Sequence, residues 1–455
     1  MLDINFLRNN ALAIKANILN RGFDPLKADI DKLLKLDKEK GELQVKMDTL
    51  RARRNELSKV MQAGAGKPDM AVINEGKSIK ARLSELDKIM NTIETEWNEI
   101  MAWIPNMALP DVPVGKDAKG NVEIKAWAPA LNYLPQEKLG GFENSKEHMP
   151  SKGSNGDGDF KIIPHWELGQ KHDMIDLEAG AKVAGSRFYY LKKDGFLLMY
   201  AVFDLLTKKL LQEGFDPMYV PVLVRERSLF GTSHFPADAD QVYEVHTEYV
   251  EDQNRLFLVG SSEPSLFSYY IDSVLPAGKL PVKMLAQTAC FRSEAGSWGK
   301  DVRGIKRVHQ FEKLEMDMIV EASLEKAIEA QEYLLGINEW LLQQLQLPYH
   351  VINMCTGDLG YAAAAKKYDI EVWLPSEATY MEVMSDSITT DFQTRRMNIK
   401  YLNAAGKKEY AYTVNDTGAT HRLLIAIIEH YQQADGSIKV PEVLRATVGK
   451  EFIGK

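Results

Sequence analysis

A charged hairpin in the second half of the chain carries the residue types best suited to chemistry. It runs from Ala289 to Glu315 and reads ACFRSEAGSWGKDVRGIKRVHQFEKLE. The apolar stretches at its two ends predict a pair of strands joined by a basic, Gly-containing loop. Arg292 stands at the end of the first strand, where its guanidinium can bind phosphate or carboxylate oxygens through two hydrogen bonds. The hairpin therefore predicts an anion-binding site.

The spacing within this hairpin predicts that its functional side chains converge. Arg292 and Glu294 are two residues apart, and Phe311 and Glu315 are four apart, so each pair shares one face of an extended strand. An aromatic ring, a guanidinium and carboxylates on one surface can bind a planar base, a phosphate and an ammonium group. The alternative is a surface hairpin with an exposed ion pair at the strand end, which contributes little to stability.

The common phosphate-binding loops do not occur in the sequence. There is no GxxxxGK[ST] loop, no GxGxxG motif after a strand and no GxSxG elbow, and AGAGKP at 63–68 has the wrong spacing. A bound phosphate compound would therefore be held by side chains.

Composition limits the class of protein. With 455 residues, 45% of them hydrophobic and 26% charged, the chain can form two or three globular domains. Its net charge of −8 argues against a surface coated with phosphate-binding groups, but it allows one basic strip.

No apolar run approaches the roughly 20 residues of a membrane helix, and the N-terminus lacks a secretory signal. Cys290 and Cys355 predict buried free thiols in the reducing cytoplasm, and no zinc-ligand spacing is present.

Two apolar repeats near the N-terminus predict a pair of long helices. Leucines recur every seven residues from Leu36 to Leu57, and apolar residues alternate at spacings of four and three from Ile79 to Ile104. Between the repeats, 62–72 contains the Gly and Pro typical of a helix reversal. The pattern predicts an antiparallel two-helix coiled-coil arm.

The first helix of this arm carries a dense basic patch, RARR, at 51–54. Arg51, Arg53 and Arg54 are candidates for contact with nucleic acid, although a solvated helix surface of mixed charge is the alternative. A Pro- and Gly-rich segment at 105–121 follows the arm and marks a domain boundary, which we place between 1–108 and 109–455.

The remainder of the chain predicts an α+β domain built on an antiparallel sheet with helices outside it. Candidate strands and helices alternate along it. The strands are predicted at 282–291, 308–320, 349–355 and 369–375, and the helices at 179–185, 197–214, 324–345 and 420–433.

The charged hairpin resembles motif 2 of the class II aminoacyl-tRNA synthetases, and its FRSEAG and RVHQFEKLE segments are closely similar to those of the seryl-tRNA synthetase family. EGFDPMYVPVLV at 213–224 resembles motif 1, which lies at that family's dimer interface, and the segment 422–445 resembles motif 3 and the tail after it. The helical arm resembles the family's tRNA-binding arm. The resemblance covers nearly the whole chain and implies a class II catalytic domain after the arm.

The resemblance implies activation of serine with ATP and transfer of the seryl group to the 3′ end of tRNA(Ser), by a cytoplasmic homodimer with no membrane segment. Arg292 would hold the α-phosphate and the serine carboxylate, and Arg422 would lie near the γ-phosphate; these two are the implied catalytic residues. Phe311 would stack on adenine and Glu294 would lie near its amino group. The other implied ATP-binding residues are Ser293, Val308, Glu382, Val383, Met384 and Ser385.

The same resemblance implies a magnesium site and a serine site. Glu382 and Ser385 would hold Mg²⁺, since carboxylate and hydroxyl oxygens suit this hard cation. Serine would be recognised by Arg292 and by Ser261, Ser262, Glu263, Glu315 and Thr417. A structural alternative exists for two of them: Glu263 caps the helix after it, and Glu315 only pairs with Lys313 or Lys306.

The chain departs from the family pattern around the amino-acid pocket. Met384 replaces a small polar residue, Asp386 replaces a cysteine, and the segment before Arg422 is one residue shorter, which affects the assignment of Thr417. We expect these positions to border the pocket.

Two other functions fit the same fold: a paralogue that charges a different acceptor or another small amino acid, and a non-catalytic relative. The arm argues against a carrier-protein acceptor. The presence of Arg292, Glu294, Glu382, Ser385 and Arg422 argues against loss of catalysis.

Overall fold

The structure is a computed structural model that describes residues 1–63, 69–129, 132–133, 143–150, 160–246, 255–295 and 303–455. These residues form two compact units, Leu2–Pro105 and Asn106–Lys455, the second of which also includes Met1. The predicted helix reversal at 62–72 and the basic loop of the charged hairpin fall partly on 64–68 and 296–302, outside the described residues.

The α-helices occur in both units. They are α1 (Ile4–Asn9), α2 (Ala11–Asn20), α3 (Ile30–Ala63), α4 (Met70–Trp103), α5 (His165–Lys171), α6 (Leu177–Ala184), α7 (Lys193–Gln212), α8 (Glu226–Gly231), α9 (Glu263–Ser268), α10 (Leu324–Gln344), α11 (Phe392–Met397), α12 (Arg422–His430) and α13 (Arg445–Val448).

The strands belong to the larger unit. They are β1 (Val122–Ala128), β2 (Asn132–Tyr133), β3 (Ile175–Asp176), β4 (Tyr190–Leu191), β5 (Asp216–Pro217), β6 (Leu223–Arg225), β7 (Glu244–Val245), β8 (Leu256–Leu258), β9 (Val274–Leu275), β10 (Val282–Phe291), β11 (Gln310–Val320), β12 (Tyr349–Asn353), β13 (Lys366–Leu374), β14 (Thr379–Thr390), β15 (Lys400–Leu402), β16 (Lys408–Tyr410), β17 (Tyr412–Thr420), β18 (Ile438–Lys439) and β19 (Phe452–Ile453).

Helices α3 and α4 form the predicted coiled-coil arm. The repeating apolar residues are buried between the two helices, and their shared cluster contains Leu43, Met47, Leu57, Ile79, Leu83, Leu86 and Met90. Lys40, which interrupts the repeat, forms an ion pair of 2.9 Å with Glu94 and lies 5.2 Å from the ring centre of Trp97. The period of four and three residues therefore predicted the contact face correctly.

A nine-stranded sheet organises the larger unit, in the order β2-β1-β12-β13-β14-β17-β11-β10-β5. Neighbouring strands are antiparallel except β10 and β5, which are parallel. One face of β11 contributes Leu314, Met316 and Met318 to an apolar core shared with α7, α10 and α12. Because side chains alternate along a strand, the opposite face of β11 presents Lys313 and Glu315. The predicted α+β fold with an antiparallel sheet is confirmed.

The two cysteines are free and buried, as predicted. No helix within the described ranges is long and apolar enough to cross a membrane.

Two carboxyl groups are buried together between the sheet and α10. Asp386 of β14 and Asp416 of β17 are partners in the strand register, and neither is exposed. The Asn338 side-chain amide of α10 donates to both carboxylate oxygens of Asp416, at 2.8 and 2.7 Å. Burial, followed by the neighbouring Asp386, raises the pKa of Asp416 well above its usual range. Ionisation of this carboxyl therefore opposes folding.

Replacing Asp416→Asn should make stability less dependent on pH. A raised pKa in the folded state favours folding fully below the pKa of the unfolded chain, near 4, and this contribution is lost as pH rises toward the folded pKa. The variant carries no charge at position 416 at any pH, so its stability relative to that of the native protein should increase from mildly acidic to mildly alkaline pH. Urea unfolding midpoints of both proteins, measured at one mildly acidic and one mildly alkaline pH, test this.

The control for this experiment is Asp435→Asn. Hydrogen bonds from Ser437 lower the pKa of Asp435, so its contribution to stability is lost only as pH falls below about 4, and this variant should keep the native pH dependence between mildly acidic and mildly alkaline pH. Parallel pH dependences for the native protein and the Asp416→Asn variant would contradict the assignment.

Candidate active site

A cavity of about 580 Å³ lies over the polar face of the sheet. Side chains from β11, β13, β14 and β17 line it, together with residues from the segment before α9. A smaller cavity adjoins it, and both are lined by Arg292, Glu294, Arg307, Lys313, Glu382, Thr417 and Arg422. The shared lining makes the two cavities one continuous site.

Arg292 lies just beyond β10, which ends at Phe291. Its backbone N–H donates to the carbonyl of His309 at 3.0 Å, which holds the two arms of the hairpin together. The guanidinium carbon lies 5.4 Å from the ring centre of Phe311, so the charge is held over the aromatic face. A cation at this position can bind an anion in the cavity.

The prediction that Arg292 and Glu294 share one face of an extended strand is wrong. Both residues follow the end of β10, and Glu294 has a φ of +51°, a left-handed conformation that few non-glycine residues adopt. This turn nevertheless brings both side chains to the cavity wall. The Glu294 carboxylate accepts a hydrogen bond of 3.3 Å from Arg307.

Ser293 faces away from the cavity. Its hydroxyl donates to the carbonyl of Asp240 at 2.5 Å and its N–H donates to the carbonyl of Gln241 at 3.0 Å. Ser293 therefore fixes the turn that carries Arg292 and Glu294.

On β11, Phe311 and Glu315 share one face, as the spacing predicted, and Lys313 lies between them. The Lys313 ammonium is 2.6 Å from the Glu315 carboxylate and donates to the Ser261 hydroxyl at 3.0 Å. Glu315 is 2% exposed, and its burial raises its pKa, whereas Lys313 opposes that rise. The pairing with Lys313 considered from the sequence is therefore present, and it forms part of the cavity wall.

Glu263 is the first residue of α9, and its carboxylate points to neutral partners. It accepts hydrogen bonds from the amides of Gln393 and Asn415, at 2.7 and 3.0 Å. Burial, followed by the nearby Glu315, raises the pKa of Glu263 to about 8. The alternative that Glu263 caps α9 is wrong, because Ser262 occupies the N-cap position.

Ser261, Ser262 and Glu263 are consecutive in the sequence, but they differ in their position relative to the cavity. Ser261 and Glu263 line the cavity, and the Ser261 hydroxyl also accepts from the Glu263 N–H at 3.2 Å. Ser262 is fully buried and lies outside the cavity wall.

Arg422, the first residue of α12, connects the hairpin with β14. Its guanidinium donates to the carbonyl of Glu382 at 2.8 Å, to the Glu382 carboxylate at 3.2 Å and to the carbonyl of Lys306 at 3.2 Å. Enclosure alone raises the pKa of Glu382, but Arg422, Lys367 and Arg292 outweigh it and lower the pKa to about 2. Glu382 therefore stays a carboxylate across the physiological range.

Glu382 and Ser385 both line the larger cavity. Within the part of the chain that the structure describes, no group of three or more His, Cys, Asp or Glu side chains could hold a metal ion. A carboxylate and a hydroxyl oxygen are donors of the type that hard cations accept.

The residues that depart from the family pattern lie on both sides of β14. Val383 and Met384 line the smaller cavity with Val308 and Phe311. Asp386 lies on the α10 face, where its carbonyl accepts from Gln331 at 3.4 Å. The expectation that Asp386 borders the pocket is therefore wrong, because strand alternation turns it away when Ser385 faces the cavity.

Thr417 is the register partner of Glu315, next to an irregularity in the β11–β17 pairing, and it lines both cavities.

Arg51, Arg53 and Arg54 lie on α3, in the smaller unit. Arg53 pairs with Glu75 at 2.7 Å.

Sequence reasoning missed several polar residues of the cavity wall. Lys313 could have been found, because it shares the alternation of Phe311 and Glu315. Ser387 and Asn415 lie two residues from Ser385 and Thr417, but β14 and β17 were not predicted as strands, so their alternation was not recognised. His234, Tyr361 and Lys367 come from segments distant in the sequence, with no local signal.

Known proteins match the chain over its whole length. The seryl-tRNA synthetase N-terminal domain model matches residues 1–108, and the class II tRNA synthetase core domain model (G, H, P, S and T) matches 243–431. The serine–tRNA ligase of Dictyoglomus turgidum is 38% identical over 99% of this chain and 98% of its own length. That of Trichodesmium erythraeum is 36% identical over 100% of both chains.

Solved structures agree with these matches. The seryl-tRNA synthetase of Pyrococcus horikoshii, solved in complex with ATP, has a TM-score of 0.85 and 33% identity and covers 100% of this chain and 99% of its own. The cytoplasmic serine–tRNA ligase of Naegleria fowleri, in complex with AMP, has a TM-score of 0.81 and 26% identity, covering 100% and 98% of the two chains. The chain belongs to the seryl-tRNA synthetase family of class II aminoacyl-tRNA synthetases.

Proposed function

We propose that the protein is a serine–tRNA ligase that joins serine to ATP and then transfers the seryl group to the 3′ end of tRNA(Ser). The observation that carries this proposal is one continuous cavity with arginines at one end and a buried Lys313–Glu315 pair at the other, in a chain similar to serine–tRNA ligases over its full length. Such a cavity can hold a triphosphate and an amino acid side by side.

The end of the cavity lined by Arg292 and Arg422 would bind ATP and stabilise the transition state of the first step, the activation of serine. The serine carboxylate oxygen attacks the α-phosphorus, and the bond to the bridging oxygen of pyrophosphate breaks. Arg292 is placed to bridge the α-phosphate and the serine carboxylate, Phe311 to stack on adenine, and Arg422 to neutralise the leaving pyrophosphate. Catalysis of this kind depends on position and charge, not on a covalent group of the protein.

The other end would recognise serine. Glu315 and Glu263 are placed to bind the substrate ammonium and hydroxyl, with Ser261 and Thr417 as further polar partners. Buried groups of this kind disfavour an analogue without the hydroxyl, because their hydrogen bonds would then be unmade. Ser262 would support the serine site as the N-cap of α9, and Ser293 would support the ATP site by fixing the turn that carries Arg292 and Glu294.

Glu382 and Ser385 would hold Mg²⁺ together with the phosphates of ATP. The low pKa of Glu382 supports this assignment, since a hard cation prefers a charged oxygen. The ion would neutralise charge on the phosphates. It would have to share Glu382 with Arg422.

The arm and the second subunit complete the proposal. Residues 1–108 would bind tRNA through Arg51, Arg53 and Arg54, and 109–455 would form the catalytic domain. Phe196 and Tyr200 of α7 are each 51% exposed and stack at 6.2 Å, and such an exposed aromatic pair would suit a surface that a second subunit covers. The two free, buried thiols suit the cytoplasm.

Charging of tRNA(Ser) with labelled serine tests the function. The native protein should charge it only with ATP and serine present, and Arg292→Lys should reduce charging by about a hundredfold or more, because lysine cannot bridge two anions with a planar fork. Charging with another amino acid, or none at all, would contradict the proposal.

The magnesium assignment predicts the effect of Glu382→Gln. Loss of the carboxylate should raise the Mg²⁺ concentration for half-maximal pyrophosphate exchange by roughly tenfold or more. Asp238→Asn is the matched control, because Asp238 lines the same cavity without a proposed metal role. An equal Mg²⁺ requirement in both variants would remove Glu382 from the metal site.

The arm assignment predicts a defect confined to the second step. Replacing Arg51, Arg53 and Arg54 with alanine should raise KM for tRNA by about fivefold or more and weaken its salt dependence, because phosphate contacts release counterions. Serine-dependent pyrophosphate exchange should stay unchanged. Arg227→Ala, which removes an exposed arginine of the larger unit, is the control. Native tRNA affinity in the triple variant would refute the assignment.

A further inference from the structure

Lys313 has been given no role towards the substrates so far, although it lines both cavities of the site and pairs with Glu315. It is only 6% exposed. Its ammonium contacts Glu315 at 2.6 Å and the Ser261 hydroxyl at 3.0 Å. These are two of the side chains proposed to recognise serine, so Lys313 can control both of them.

The surroundings of Glu315 are otherwise mostly acidic. Burial raises its pKa, and the influences that oppose the rise are Lys313, then Ser261, then the more distant Arg292. The groups on the surrounding elements whose ionisation interacts unfavourably with Glu315 are Glu263 of α9, Asp317 of β11, Asp416 of β17 and Cys290 of β10. A buried carboxyl in such a setting takes up a proton if its cation is removed.

We propose that Lys313 is a positioning residue for the amino-acid substrate: its ammonium keeps Glu315 charged and holds the Ser261 hydroxyl, so that the substrate ammonium meets a charged and oriented acceptor. This inference rests on the proposed serine–tRNA ligase activity. Without Lys313, serine would have to displace a proton from Glu315 in order to bind. Binding would then become more dependent on pH.

The test is pyrophosphate exchange with serine, measured from mildly acidic to mildly alkaline pH in the native enzyme and in Lys313→Met. At neutral pH the variant should show a KM for serine that is higher by about tenfold, the factor that one pKa unit represents. The acidic limb of kcat/KM for serine should move to higher pH, and KM for ATP should change little. Glu263 titrates in both proteins, so the difference between them is the diagnostic quantity.

Two variants serve as controls. Lys313→Arg keeps the charge and should keep the position of the acidic limb. Lys306→Met removes another cation of the site, one that pairs with Glu377 at 2.5 Å, and should leave the limb for serine where it is. If the methionine variant does not fold, the neutral and more polar Lys313→Gln replaces it.

The outcomes separate this inference from the proposed function. An inactive native enzyme would overturn both. An active native enzyme with an unmoved acidic limb in Lys313→Met would overturn only the inference. A lower KM for serine in that variant would also overturn it, since Lys313 would then compete with the substrate for Glu315.

Discussion

The larger unit has to hold the buried ion pair between Lys313 and Glu315 in a fixed geometry. Both side chains are almost fully buried, and the removal of two charges from water is costly unless each charge is paired and hydrogen-bonded. A rigid sheet meets this condition, because β11 places both residues on one face and a cross-strand neighbour, Thr417, beside them. The site is therefore held by the same strand pairing that forms the fold.

The opposite face of the sheet supplies the stability that the polar face lacks. Leu314 and Met316 alternate with Lys313 and Glu315 along β11 and pack into the core beneath α7, α10 and α12. Burial of apolar surface on one face can thus offset the desolvation of charges on the other. The buried Asp416, held by Asn338, is a second polar group on the core side, and its burial carries a cost that grows with pH.

The sequence predicted the parts of the structure that depend on local periodicity. The coiled-coil arm, β10, β11 and the shared face of Phe311 and Glu315 all follow from spacings of two, three and four residues. Strands β14 and β17 were not predicted, because acidic and amide side chains such as Asp386 and Asn415 obscure their alternation. The turn at Glu294 was missed for a different reason: its left-handed backbone is imposed by its surroundings and not by the residue type.

The most direct test of this account compares serine with alanine in amino-acid-dependent exchange of labelled pyrophosphate into ATP. A pocket of buried carboxylates and hydroxyls built to bind a substrate hydroxyl should favour serine in kcat/KM by about four orders of magnitude, because alanine would leave those groups unpaired. A ratio below about 200-fold, which a pocket that discriminates by size alone can achieve, would contradict it.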